Sequence, residues 1–178
     1  MMHNDIKKVS VSENDIKEIV ERLGRQISKD FDGRNPLFIG LLKGCNPFMT
    51  DLLKHVSIYC NLDYMKVSSY DGTTSTGNVT LKSAMPNVNG REVILVDDIL
   101  DTGRTLVAVK DLLFANGAKS VTICVLLDKP EGRLVDIEPA YVGGLVPNEF
   151  VVGYGLDYNE VYRNLPYIGV LKEEVYTK

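Results

Sequence analysis

The stretch VILVDDILDTGRTL, residues 93–106, constrains the fold of this chain more than any other. Val93 to Val96 are all apolar, as in a strand buried on both faces of a parallel sheet. Three aspartates follow, Asp97, Asp98 and Asp101, and Thr-Gly-Arg-Thr then opens a helix over 104–116. Leu106, Val109, Leu112 and Leu113 share the inward side of that helix, and Gly117 stops it. Free N–H groups at the helix start, the Thr102 and Thr105 hydroxyls and the helix dipole together suit one phosphate group. Gly103 lets the backbone turn tightly and approach the anion. The carboxylates repel phosphate and need another partner, either sugar hydroxyls or a divalent metal. A ribose 5-phosphate unit satisfies both halves. Solvated loop acids would need no partner, but three acids with TGRT between residues 97 and 105 are more than a solvated cap calls for.

Two other phosphate chemistries fit less well. Asp97-Asp98-Ile-Leu-Asp101 has DDxxD spacing, the pattern of a magnesium-diphosphate site, but that site is built on helices, where i and i+4 share a face. Here the acids follow a β-rich run. The GxxxxGK[ST] loop is absent.

The flanking sequence predicts an α/β fold. Ser12 caps a first helix, with Asp15 as the acid of a capping box, and Ile16, Ile19, Val20, Leu23 and Ile27 form its buried face. Residues 37–42 read as a short buried strand. After the Lys43-Gly44 turn, Asn46 is placed to cap a helix with Pro47 in its first turn, running to about Val56. Residues 62–70 read as a strand, the polar DGTTSTGN (71–78) as a mobile loop, and Val79 to Ser83 as a return strand. Val121 to Leu127 is a further buried strand. This alternation implies βαβ units and a mostly parallel central sheet flanked by helices. From Pro139 onward the chain reads as a small lobe over the sheet, with β-prone pieces at 150–153 and 167–171. One domain over 1–178 is expected.

Composition narrows the function classes. Apolar residues are 44% and charged residues 25%, ordinary for a globular protein. No apolar run reaches the ~18 residues of a membrane helix, and the first residues lack a secretion signal, so a cytoplasmic protein with no membrane partner is expected. Cys45, Cys60 and Cys124 have no CxxC spacing and read as reduced thiols. A net charge of −4 weighs against a general nucleic-acid partner.

VILVDDILDTGRTL resembles the phosphoribosyl-diphosphate (PRPP) motif of type I phosphoribosyltransferases. LLKG (41–44), SSY (68–70), LLDKP (126–130) and FVVGYGLDYNEVYRNLPYIGVL (150–171) are similar to the hypoxanthine-guanine branch of that family. The resemblance covers about residues 37 to 171. It implies the type I phosphoribosyltransferase fold with a small base-binding hood, and purine salvage. By that resemblance the 5-phosphoribosyl group of PRPP passes to hypoxanthine or guanine, with xanthine a further candidate base and Mg2+ the cofactor.

By the same resemblance, Asp97 and Asp98 bind the ribose hydroxyls or order metal-bound water, and Asp101 is the general base near purine N7. Asp101, Thr102, Gly103, Arg104 and Thr105 hold the 5′-phosphate. Lys43 and Gly44 turn backbone N–H groups toward pyrophosphate after a cis Leu42-Lys43 peptide, Ser69 and Tyr70 belong to a closing loop, and Arg163 reaches the pyrophosphate. Lys129 donates to the purine 6-oxo group, Phe150 stacks on the base, Val151 contacts its edge through the backbone, and Asp157 holds magnesium. A homodimer or homotetramer is implied. His3 and His55 match no family role. Gly155 stands where relatives often have alanine, and Arg104 where lysine or asparagine is common. The rival is an RNA-binding regulator of pyrimidine genes on the same fold; Asp101, the acidic charge and the 150–171 segment favour the enzyme.

Overall fold

The computed structural model describes residues 2–69 and 79–177. A six-stranded sheet forms its centre, with strands β2 (Leu37–Leu42), β3 (Asn61–Ser69), β4 (Val79–Leu81), β5 (Glu92–Leu100), β6 (Ser120–Asp128) and β7 (Tyr141–Leu145) in the order β4-β3-β2-β5-β6-β7. All neighbours are parallel except the β3–β4 pair. The expected mostly parallel α/β sheet is present.

Alternate residues of the strands enter two separate cores. Phe38, Ile94, Val96, Cys124 and Leu126 face helices α1 (Glu13–Asp30) and α2 (Asn46–Leu53), while Ile39, Leu41, Val93, Leu95, Ile123 and Val125 face α3 (Arg104–Ala115). Burial on both faces explains why these strands read as continuous apolar runs. The Ser12–Asp15 capping box forms, with Asp15 N–H donating to Ser12 Oγ at 3.1 Å and Ser12 N–H to Asp15 Oδ2 at 2.8 Å.

A second sheet of three antiparallel strands covers one end, in the order β1 (Ile6–Val11), β9 (Ile168–Leu171), β8 (Val151–Val152). A helical turn, α4 (Glu173–Tyr176), closes the chain.

The structure corrects several boundaries. Asn46 is the first residue of α2 and Cys45 occupies the cap position without a side-chain cap bond; the helix ends at Leu53, not Val56. The return strand stops at Leu81, short of Ser83. Residues 141–145 are not part of the small lobe, because β7 pairs in parallel with β6 as an edge of the central sheet. The lobe instead recruits the N-terminal strand β1, and Val93 to Val96 is only the middle of β5, which runs on to Leu100. The expected mobile loop 71–78, with Tyr70, lies outside the described residues.

Candidate active site

Strands of unequal length create the site. β2 pairs with β5 only from Leu37↔Val93 to Gly40↔Val96, whereas β6 stays paired as far as Leu100↔Asp128. Asp97 and Asp98 therefore sit inside β5 but beyond its pairing with β2, at the carboxyl end of the sheet, where open α/β sheets take their ligands. Burial pushes both carboxyls above the usual range, and the neighbouring Asp98 charge lifts Asp97 further. The Cys45 thiol nearby is also pushed up, first by burial and then by the two aspartates.

The backbone packs closely around these acids. A Cβ on Gly44 would fall 1.8 Å from Asp98 Oδ2, and one on Gly155, which has φ +102°, would fall 2.0 Å from the Gly44 carbonyl oxygen. The chain thus passes from the hood to the Lys43-Gly44 turn to Asp98 in direct contact. The Leu42-Lys43 peptide is cis.

After β5 the chain turns through Asp101, Thr102 and Gly103, whose φ of +81° suits glycine. A Cβ on Gly103 would also strike Ile137 and Val135 at 2.7 and 2.8 Å. Helix α3 then begins at Arg104 with no side-chain cap bond, apart from a long 3.5 Å approach of Arg104 N–H to Thr102 Oγ1. Thr105 lies in its first turn, half-buried.

Lys129, just past β6, places its Nζ 3.2 Å from Asp101 Oδ2, with the lysine side chain 12% and the aspartate 43% exposed. The Lys129 N–H donates to the Leu100 carbonyl at 2.9 Å. Arg133 fixes this corner: Nε donates to the Asp101 carbonyl at 3.1 Å, Nη1 to the Ile137 carbonyl at 2.5 Å, and Nη2 to Asp128. A Cβ on Gly132 would lie 1.9 Å from Asp101 Oδ1.

In the hood, Arg163 Nη1 donates to the Gly155 carbonyl at 2.7 Å, and Nη2 meets Asp157 Oδ1 at 2.8 Å and Glu160 Oε1 at 3.3 Å. Lys43 Nζ meets Glu160 Oε2 at 2.6 Å. Phe150 is 38% exposed, stacks on Tyr176 at 5.1 Å between centroids and meets Tyr158 edge-on. Val151 is buried and pairs with Val170. Ser69 ends β3 opposite Val79.

The sequence-predicted residues therefore form neighbouring groups: the acids with Gly44, Asp101 with Lys129, and Asp157 with Arg163. Among the described residues no group of three His, Cys, Asp or Glu side chains is placed to hold a metal ion by itself. Arg133 and Glu160 were not foreseen, and only the position of Glu160 inside the 150–171 segment could have pointed to either. A cleft of about 690 Å3 lined by Asp32, Asn35, Ile58 and Tyr59 precedes β2 and β3, away from these groups.

The fold and this corner of acids, glycine turn and uncapped helix define a phosphoribosyltransferase domain, and the sequence model of the Phosphoribosyl transferase domain matches residues 12–159. The hypoxanthine-guanine phosphoribosyltransferase of Streptococcus pneumoniae is 54% identical over 99% of both chains. A crystal structure of a hypoxanthine phosphoribosyltransferase from Staphylococcus aureus superposes with a TM-score of 0.96 at 48% identity, covering 99% of this chain and 97% of that one. The chain belongs to the hypoxanthine-guanine phosphoribosyltransferase family. A bifunctional protein TilS/HprT of Listeria monocytogenes is 56% identical over 99% of this chain, which spans only 28% of that relative's length.

Proposed function

We propose that the chain acts as one domain that transfers the 5-phosphoribosyl group of PRPP to hypoxanthine or guanine, releasing IMP or GMP and pyrophosphate, in purine salvage. The observation that carries this reading is the Lys129–Asp101 pair at 3.2 Å. One edge of a 6-oxopurine presents O6 beside N7, an acceptor next to a position that carries a proton in the free base. A lysine that only donates and a carboxylate that accepts, side by side, match that edge.

In this reading Lys129 donates to O6 while Asp101 accepts the proton leaving N7 as the new bond forms. The uncapped start of α3 and the Thr102 to Thr105 turn hold the 5′-phosphate, and Asp97 and Asp98 receive the ribose hydroxyls. Phe150 and the Val151 backbone seat the base. Lys43, Gly44, Ser69, Tyr70 and Arg163 receive the pyrophosphate. Positive charge builds on the ribose as that group departs, so water must be kept out, a task this reading gives to the hood and to the closing loop implied by the family resemblance.

Magnesium fits the donors present. This ion keeps several waters and is usually bound through one or two carboxylates plus substrate phosphates, not a dedicated protein cage. Asp97 and Asp98 are partly buried carboxyls raised by desolvation, and Asp157 is the carboxylate nearest the hood cation. These residues would hold Mg2+, which when bound neutralises charge on the leaving pyrophosphate. Self-association as a dimer or tetramer, and a cytoplasmic location, accompany this reading; no described helix is long and apolar enough to cross a membrane.

The test is a panel of hypoxanthine, guanine, xanthine and adenine with PRPP and magnesium, following nucleotide and pyrophosphate together. The reading requires stoichiometric nucleotide and pyrophosphate from hypoxanthine or guanine. Adenine used as efficiently as hypoxanthine would overturn it.

A further inference from the structure

We propose that Glu160 is a built-in rival of pyrophosphate: its carboxylate bridges the two cations that receive this product, and so sets how tightly the product is held. The inference rests on the reading of Lys43 and Arg163 as pyrophosphate groups and extends it from the Lys43 backbone to its ammonium. Each oxygen of Glu160 takes a different cation, Oε2 meeting Lys43 Nζ at 2.6 Å and Oε1 meeting Arg163 Nη2 at 3.3 Å. One anion spanning two cations is the arrangement a pyrophosphate would adopt there. The glutamate side chain is 64% exposed, so it can leave for solvent when a stronger anion arrives.

The backbone supports a purpose for this side chain. Tyr158 and Val161 exchange both N–H···O bonds, at 3.2 and 3.1 Å, around the two-residue loop Asn159-Glu160. Asn159 has φ +50° and Glu160 φ +65°, the pattern of a type I′ turn, whose second position is most comfortable as glycine. A glutamate there adopts a conformation that disfavours its own Cβ. Its N–H donates to Asp157 Oδ2 at 2.8 Å, a bond that glycine would make equally well. The carboxylate is what distinguishes glutamate at this position, and its charge faces Lys43 from a site 117 residues away in sequence.

An internal anion of this kind lowers the affinity of both PRPP and pyrophosphate, because each must displace it. The lowering speeds product departure, often the slow step in enzymes with a closing segment. Two exposed ion pairs of ordinary strength correspond to about two- to tenfold in affinity.

The experiment titrates inorganic pyrophosphate, with magnesium, into wild type, Glu160→Gln, Glu160→Gly, Lys43→Met and Arg163→Met by calorimetry, and measures inhibition of turnover by pyrophosphate. Glu160→Gln and Glu160→Gly should both bind pyrophosphate about two- to tenfold tighter, with inhibition strengthened by the same factor. Glu160→Gly should also melt at higher temperature. Lys43→Met should bind pyrophosphate more weakly, and combining it with Glu160→Gln should remove much of the gain. Unchanged or weaker binding in Glu160→Gln overturns the proposal, weaker binding marking Glu160 as a partner of the magnesium or product. A gain that persists in full beside Lys43→Met also overturns it, reducing the effect to a general change of charge. Pyrophosphate binding that ignores Lys43→Met would show that the Lys43 ammonium does not receive the product, and would also overturn the proposal. Loss of pyrophosphate binding in Arg163→Met and Lys43→Met alike would leave the underlying reading standing.

Discussion

At the scale of single residues, Lys129 and Asp101 lie 3.2 Å apart, a donor beside an acceptor, and the proposed function makes this pair the selector of the base. An adenine amino group would set a second donor against the lysine, leaving the N–H aimed at the 6-position without an acceptor even with Asp101 beside the ammonium. An unpaired buried polar group costs about 1–3 kcal/mol and a charge more, so hypoxanthine should exceed adenine by at least about a hundredfold. Lys129→Ala should lower kcat/KM for hypoxanthine and shrink that ratio by about tenfold or more. An unchanged ratio would remove Lys129 from base recognition. Asp97 makes a different prediction. Its folded carboxyl is raised by burial and by Asp98, so the folded state holds a proton that the unfolded chain gives up from about its ordinary 3.8 upward. The cost of ionising it is absent at low pH, appears as pH rises through the raised value, and is complete above it. Asp97→Asn, measured in chelator without substrate, should therefore melt higher than wild type at neutral pH and converge with it as pH falls toward 3.8. Each kcal/mol recovered is worth about 2–4 °C in a chain of this size. Equal melting temperatures at neutral pH would show that the site stores no such cost.

Elements that satisfy themselves locally were legible in the sequence. The first helix announces itself through Ser12, Asp15 and its spaced apolar face, and the central strands through apolar runs that two separate cores require. Ser12→Ala should cost about 0.5–2 kcal/mol and lower the melting temperature without changing KM for either substrate; a KM shift would mean that this cap is coupled to the site. Elements defined by distant partners were not legible. IKKVSV (6–11) is polar and largely exposed, and it is a strand only because β9 lies beside it. In YVGGL (141–145) two glycines hide a strand, yet Gly143 is there because a Cβ would sit 2.2 Å from the Leu126 carbonyl oxygen on β6. The candidate site divides in the same way. The acids and TGRT lie in a stretch whose local pattern carries chemistry, whereas Lys129 stood out only through the resemblance of LLDKP. Arg133 works through backbone carbonyls and Glu160 through a lysine on another element, and neither leaves a local trace.

For the molecule as a whole, the division of labour between sheet and hood makes a prediction. Asp97 and Asp98 belong to the central sheet and the Thr102-Gly103 turn follows it, whereas Val151 lies in, and Phe150 just before, a three-stranded sheet whose middle strand, β9, is held on one side by β1. Removing residues 2–11 would expose a β9 edge and loosen β8 with it. KM for the purine should then rise by tenfold or more, on the order of one lost stacking contact and its supports, while KM for PRPP changes far less. Equal rises in both constants would show that the hood serves the two substrates alike.

The pairing of β1 with β9 also carries a consequence in time. Val9 lies opposite Gly169, so the two strands can meet only after nearly the whole chain between them has been gathered. Closing so long a loop is entropically expensive before other contacts exist, and pairings of large sequence separation form slowly. The central sheet is built from neighbours much nearer in sequence and can form first, even while the end of the chain is still being synthesised. If the proposed function holds, a folding chain would thus gain its sugar and phosphate side before its base side. On the proposed reading, the two sides of the site come together only when β9 finds β1.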